Sequence, residues 1–181
     1  VAIATGLANS GSYNWTVPSI NSTTVKVRIT AKDKAGNSAS DVSDNNFTLA
    51  PSYLVEWGQD NIQAGLVANQ TYSISVGLTN KGTKTWLKAG GNYIYLTYHW
   101  YGPAPVWDGL RTALTQDMAT NTSLTLTAQL KAPAQPGQYT LELDLVEEGV
   151  TWFKDKGSPT KVKAKINVTS SPYLVEWEND N

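Results

Sequence analysis

Tyr93-Ile94-Tyr95-Leu96-Thr97-Tyr98-His99-Trp100-Tyr101 is the stretch whose pattern decides the fold class. Ile94, Leu96, Tyr98 and Trp100 alternate with Tyr93, Tyr95, Thr97, His99 and Tyr101. Successive side chains of a strand point to opposite faces, while a helix repeats its apolar positions about every 3.6 residues. The nine residues therefore predict a strand with one core-facing row and a second face that is unusually aromatic. Working outward, the same alternation recurs at Tyr72, Ile74, Val76 and Leu78, at Leu124, Leu126, Ala128 and Leu130, at Tyr139, Leu141, Leu143 and Leu145, and at Val162, Ala164, Ile166 and Val168. Turn-forming groups separate these runs: Asn80-Lys81-Gly82, Ala89-Gly90-Gly91-Asn92, Gly102-Pro103-Ala104-Pro105, Pro133 to Gly137, and Lys156-Gly157-Ser158-Pro159. No stretch has a helical period, so the reading is all-β, with at most a helical turn near Gly109 to Thr112.

Composition narrows the functional classes. The chain has 181 residues, enough for one large domain or two small ones, and its formal net charge is −1 with no long run of either sign. A broad electrostatic grip on nucleic acid or on an anionic membrane is disfavoured by that balance. With no cysteine and a single histidine, His99, disulfides, thiol chemistry and Cys- or His-rich metal sites are excluded. No apolar run approaches the roughly 18 residues of a membrane-spanning helix, so no membrane insertion is expected. Hydrophobic residues make up 40% and charged ones 16%, the difference being filled by Thr, Ser, Asn and Gly, as on many extracellular β proteins. Seven Trp and nine Tyr stand against two Phe, so the aromatic surface suits both cores and ligand platforms.

Tyr53-Leu54-Val55-Glu56-Trp57 recurs unchanged 120 residues later as Tyr173-Leu174-Val175-Glu176-Trp177, each copy after a Pro/Ser joint. That interval is too long for a solenoid repeat and matches one immunoglobulin-sized sandwich. Residues 51–170 are therefore read as one complete sandwich, and residues 171–181 as the first strand of a following repeat. Residues 1–50 read as short strands at Val1 to Ala4, Tyr13 to Val17, Val25 to Thr30 and Asn46 to Leu49, too few for a self-sufficient core. They are taken as the C-terminal half of a domain, its missing strands either cut away or donated by a neighbour. The expected architecture is thus tandem immunoglobulin-like β-sandwiches, the first incomplete.

Gly11-Ser12-Tyr13-Asn14-Trp15-Thr16-Val17-Pro18 with Val25-Lys26-Val27-Arg28-Ile29-Thr30-Ala31-Lys32-Asp33-Lys34-Ala35-Gly36-Asn37 resembles the C-terminal half of bacterial secreted immunoglobulin-like or fibronectin-III-like modules. A second group is similar to the bacterial relatives of the four-tryptophan immunoglobulin-like domain of autophagy receptors. It comprises Leu78 to Trp86, Tyr98-His99-Trp100-Tyr101, Trp107-Asp108-Gly109-Leu110-Arg111-Thr112, Ala132-Pro133, Pro136-Gly137-Gln138-Tyr139 and Glu147 to Phe153. This resemblance implies a sandwich used for interaction and display, without catalysis, whose tryptophans serve the core or cap its ends.

The residues themselves leave several alternatives. His99, Asp108, Arg111, Asp144, Glu147 and Glu148 could be assembled on paper into an acid/base group, but no Gly-x-Ser-x-Gly nucleophile motif accompanies them, and no enzyme activity is expected. Asp108 and Arg111 suit a loop-pinning ion pair, Trp86 a cap on the sandwich, and Tyr139 a loop anchor of the tyrosine-corner kind. Asp33, Asn37, Asp41 and Asp44 lack calcium-loop spacing and read as turn formers; no metal or cofactor is expected. Tyr93, Tyr95, Tyr101, Trp100 and Trp107 are the candidate binding surface, although Trp86, Trp100, Trp107 and Trp152 read first as core or end-capping tryptophans. For the tyrosines, carbohydrate contact, protein interface and plain sheet surface stay open. Asn14, Asn21, Asn46, Asn69, Asn121 and Asn167 each begin an Asn-x-Ser/Thr triplet, suiting an extracellular protein open to glycosylation. The expected function is a spacer, stalk or filament-forming module at a bacterial cell surface or in a secreted repeat protein. Its partners are copies of itself or neighbouring immunoglobulin-like domains, joined by strand addition through Tyr53, Leu54, Val55 and Trp57 or Tyr173, Leu174, Val175 and Trp177. The alternative is a carbohydrate-binding accessory module of a secreted hydrolase, with polysaccharide as partner.

Overall fold

The computed structural model describes residues 1–18 and 20–171, so Tyr173, Leu174, Val175 and Trp177 lie outside the described residues. The chain divides into two compact units, Val1–Pro51 and Ser52–Asn181. Among the described residues all regular structure is β apart from one 3-10 turn, and no helix is long and apolar enough to cross a membrane.

The first unit holds β1 (Ser22–Val25), β2 (Arg28–Lys32), β3 (Ser38–Val42) and β4 (Phe47–Leu49), paired as β1 with β4 and β2 with β3. Asp33 closes the β2–β3 hairpin: its carboxylate accepts from the Asn37 backbone and side-chain N–H groups at 2.8 and 2.7 Å. Those bonds hold its carboxyl below the usual range. The strands expected at Val1 to Ala4 and Tyr13 to Val17 are absent, and β3 was not anticipated. Tyr13 and Val17 are exposed, because alternation needs a partner strand and a core to become a strand, and these residues have neither. Of the described residues in this unit only Leu49 and Pro51 are buried.

The second unit contains β5 (Val55–Asp60), β6 (Gly65–Val67), β7 (Thr71–Asn80), β8 (Ile94–Tyr101), β9 (Thr112–Ala113), β10 (Ser123–Lys131), β11 (Gly137–Glu147), β12 (Thr151–Trp152) and β13 (Lys161–Thr169). One sheet has the order β10-β7-β5; the other runs β6-β13-β11-β8-β9, with β12 on β11. Ile74, Val76 and Leu78 of the first sheet share one core with Leu96, Trp100, Leu141, Leu143 and Ile166 of the second. This two-layer packing is consistent with a β-sandwich. The opening segment serves both layers, since β5 pairs antiparallel with β7 and β6 then pairs parallel with β13. The helical turn is Lys154–Lys156 rather than near Gly109: Gly157 ends it at φ 82, while Gly109 lies under an irregular edge where an added Cβ would come within 2.5 Å of the Tyr98 ring.

Candidate functional site

Two groups of side chains stand out from the packing, and the first surrounds the repeated pentapeptide. Val55 is 1% exposed, and its N–H donates to the Ser158 hydroxyl at 3.0 Å. Trp57 donates its indole N–H to the Pro159 carbonyl at 2.8 Å. Tyr53 packs edge-on against Phe153 and donates its hydroxyl to Glu147 Oε2 at 2.5 Å. Lys84 completes this latch, its ammonium 2.5 and 2.6 Å from the two Glu147 oxygens. Burial, then the bond to Glu147, pushes the Tyr53 phenol up; burial disfavours charge on Lys84, yet Glu147 and Tyr53 hold its pKa above the usual lysine value. At the far end of β5, Asp60 is gripped by Lys161 at 2.9 Å and Lys163 at 3.0 Å, which outweigh burial and keep its carboxyl low. Gly82 lets the turn approach the segment that leads into β5, because a Cβ there would lie 2.2 Å from the Ser52 carbonyl. Asn80, fully buried, ties the turn from inside by donating to the Lys84 and Met118 carbonyls.

The second group covers the outer face of β8 and β11. After β8 the chain turns back, pairs Val106 with Trp100, and lays Trp107 across His99 with ring centroids 4.7 Å apart. From the other side β12 places Trp152 at 4.8 Å from the same imidazole, while the next residue, Phe153, turns into the core. His99 donates its Nδ1–H to the Trp107 carbonyl, which leaves Nε2 as an unpartnered buried acceptor. Burial pushes its pKa down, against the pull of that carbonyl. Asp144, fully buried on β11, has Oδ1 bonded to the Leu145 N–H and Oδ2 without a partner, and burial raises its carboxyl to about 6. Arg111 rivets the rim. It donates to Glu148 at 2.6 Å, to Asp108 at 2.5 Å and to Thr97 at 3.0 Å, and lies 5.2 Å from the Trp152 ring centre. Lys154 sits 4.4 Å from the Trp107 ring centre and 3.3 Å from Glu142.

No protein family matches this chain, and neither does any curated protein.

The residues singled out from the sequence are dispersed by the fold. Trp100 is corrected as a binding residue: it is 1% exposed, donates its indole N–H to the Lys131 carbonyl, and has no face to offer. Tyr93 and Tyr95 are half-buried against each other at 5.4 Å, whereas Trp107 is 58% and Tyr101 36% exposed. Trp86 is fully buried beside Phe153, and Tyr139 spans its loop by donating to the Gln135 carbonyl and accepting from the Ala104 N–H. Asn14, Asn21, Asn46, Asn69, Asn121 and Asn167 are all exposed, Asn69 and Asn121 at left-handed turn positions. Lys84, Ser158, Pro159, Glu142 and Lys154 were missed. One signal was available: Glu147 continues the core-facing parity of Tyr139, Leu141, Leu143 and Leu145, which marks a buried carboxylate in need of a cation.

Proposed function

We propose that this chain is a non-catalytic structural module of an extracellular, cell-surface or secreted repeat protein. It is built of tandem immunoglobulin-like sandwiches, the first incomplete, and serves as spacer, stalk or filament unit. The observation that carries the reading is the dedicated seating of Tyr53, Val55 and Trp57. A pentapeptide whose Tyr53 hydroxyl, Val55 backbone N–H and Trp57 indole are each received by a specific partner suits a domain-opening strand, and the same five residues recur at 173–177. Copies would then join head to tail, the pentapeptide at 173–177 of one copy completing the strand-poor first unit of the next, whose four short strands pair only two by two. Such heterologous contacts propagate rather than close. Sedimentation and electron microscopy of the full chain beside a variant ending at residue 170 test this. Filaments or oligomers lost on truncation support strand addition; assembly unchanged by truncation defeats it.

The absence of catalysis is supported by the engagement of the polar groups with one another. Arg111 is spent on Glu148 and Asp108, and Lys84 on Glu147, while His99 is sealed beneath two indoles.

A further inference from the structure

We infer that the outer face of β8 and β11 carries a glycan subsite, centred on Trp107 and flanked by Tyr101, Glu142 and Lys154, for the flat face of a neutral, β-linked pyranose. This goes beyond the joint proposed above and uses none of its residues, so either can fail without the other.

Trp107 is the starting point. An indole 58% exposed wastes most of its apolar surface, yet this one is held in place on every side that the protein can reach. Its carbonyl is bonded to His99, its ring is stacked on the His99 imidazole at 26°, and the preceding Val106 is paired with Trp100. Tyr101 stands against it edge-on, with ring centroids 6.2 Å apart. A ring fixed this firmly loses little further freedom when something stacks on it, and such preorganisation favours a weak ligand.

The polar groups beside it select the ligand. Glu142, directly across the ladder from His99, provides a carboxylate acceptor; Lys154 provides an ammonium donor 4.4 Å from the indole centre; the Tyr101 hydroxyl can do either. Burial, then the Glu142 carboxylate, pushes the Tyr101 phenol up, so it is a neutral hydroxyl throughout the physiological range. Lys154 and Glu142 neutralise one another at 3.3 Å, so no net charge is left to hold an anionic or cationic ligand. A pyranose with equatorial hydroxyls matches this arrangement: its axial C–H bonds form an apolar face for the indole, and its rim hydroxyls reach the Tyr101 hydroxyl and Glu142 carboxylate beside the ring, while the Lys154 ammonium lies over the ring itself. A protein partner fits less well. Two partly exposed aromatic side chains, of about 150–250 Å² each even if bare, fall below the ~800 Å² per partner of a stable protein interface.

The test uses the full chain with labelled tryptophan and follows the Trp107 indole N–H resonance during titration with cello-, xylo-, chito- and laminari-hexaose. The expected result is a saturable shift with at least one of these at about 0.1–1 mM, as suits a single stacking subsite. Measured by isothermal titration calorimetry, because the Trp107 variants lack that resonance, Trp107→Ala should weaken binding by at least about tenfold, Trp107→Phe by less, and Tyr101→Phe by a few-fold. Thermal unfolding confirms that each variant is folded, and Trp107→Phe keeps the test decisive should the alanine variant misfold. No Trp107 shift with any of the four at about 10 mM, or affinity unchanged by either Trp107 substitution, overturns the inference. So does a shift produced only by raising the concentration of the chain itself, which would make the ring a self-contact.

Discussion

The two faces of the β8–β11 pair are both covered, but by different means. On the inner face Leu96, Trp100, Leu141 and Leu143 meet the opposing sheet and pack as hydrocarbon. On the outer face Thr97, His99 and Asp144 are equally hidden, at no more than 1% exposure, beneath a loop and a two-residue strand carrying Trp107, Arg111 and Trp152. Inner burial follows from apolar area alone and is indifferent to pH. Outer burial encloses two titratable groups with unpartnered atoms, so it carries a polar cost that the inner face does not. The difference teaches that burial in this unit has two currents of cause, solvent exclusion between sheets and a fixed aromatic lid over polar groups.

The largest expected effect tests the inner side. Leu143→Ala should lower unfolding free energy by about 2–5 kcal/mol, read from the urea midpoint, with no dependence on pH between 4 and 8. A loss below about 1 kcal/mol would mean that the two sheets are not held by this core. Next comes the latch. Glu147→Gln leaves the Lys84 ammonium without its counter-charge and should cost about 2–3 kcal/mol. Hydrogen exchange should show Val55 and Trp57 opening first, since Tyr53 and Lys84 are released together; uniform loss of protection would assign Glu147 to the general core.

The third prediction separates the faces by pH. Asp144 has a folded pKa near 6, above its unfolded value near 3.8, so the folded state holds the extra proton and stability is lost as pH rises through that window. Asp144→Asn should therefore raise stability at pH 7 by roughly 3 kcal/mol and leave it nearly unchanged near pH 4. His99 works in the opposite direction. Its folded pKa is depressed, so its contribution is present above the unfolded value and lost as pH falls below about 6.5. The Asn variant should expose that second slope, now uncompensated, in thermal midpoints measured from pH 7 down to 5. The smallest effect belongs to Trp107→Ala, at about 1 kcal/mol or less, because most of the indole is already in solvent. A loss of several kcal/mol would mean that the cover Trp107 gives His99, and not its open surface, is its main role.

Legibility from sequence differed between these regions for a definite reason. The alternation in Tyr72 to Leu78, Leu124 to Leu130 and Tyr139 to Leu145 placed core rows correctly, because a strand's parity is local and each row meets another apolar row. The same reasoning applied to Tyr93, Tyr95, Thr97, His99 and Tyr101 led to the expectation of an aromatic surface. Parity names the face and is silent on what lies above it. Thr97 and His99 are buried by residues 8–14 and about 50 positions further along the chain, an arrangement set by Gly109 against Tyr98 and by the return of β12 onto β11. Residues 1–18 show the opposite failure, in which alternation without a partner strand produced no strand at all.

What the amino-acid sequence determined by itself is the all-β class, the core rows of β7, β10 and β11, and the identity of the pentapeptides at 53 and 173, which rest on interactions between near neighbours or on direct comparison of residues; in β13 the expected row is broken at Lys165, φ 61, so that Ile166 and Val168 are buried while Val162 and Ala164 are exposed. The tertiary structure alone decided that Tyr53 meets Glu147 and Lys84, that Trp100 is sealed while Trp107 is open, and that His99 and Asp144 lie under one lid. Those outcomes depend on which distant segments the two sheets bring together. Ion pairing, ring stacking and desolvation act over a few ångströms in space, whatever the separation along the chain.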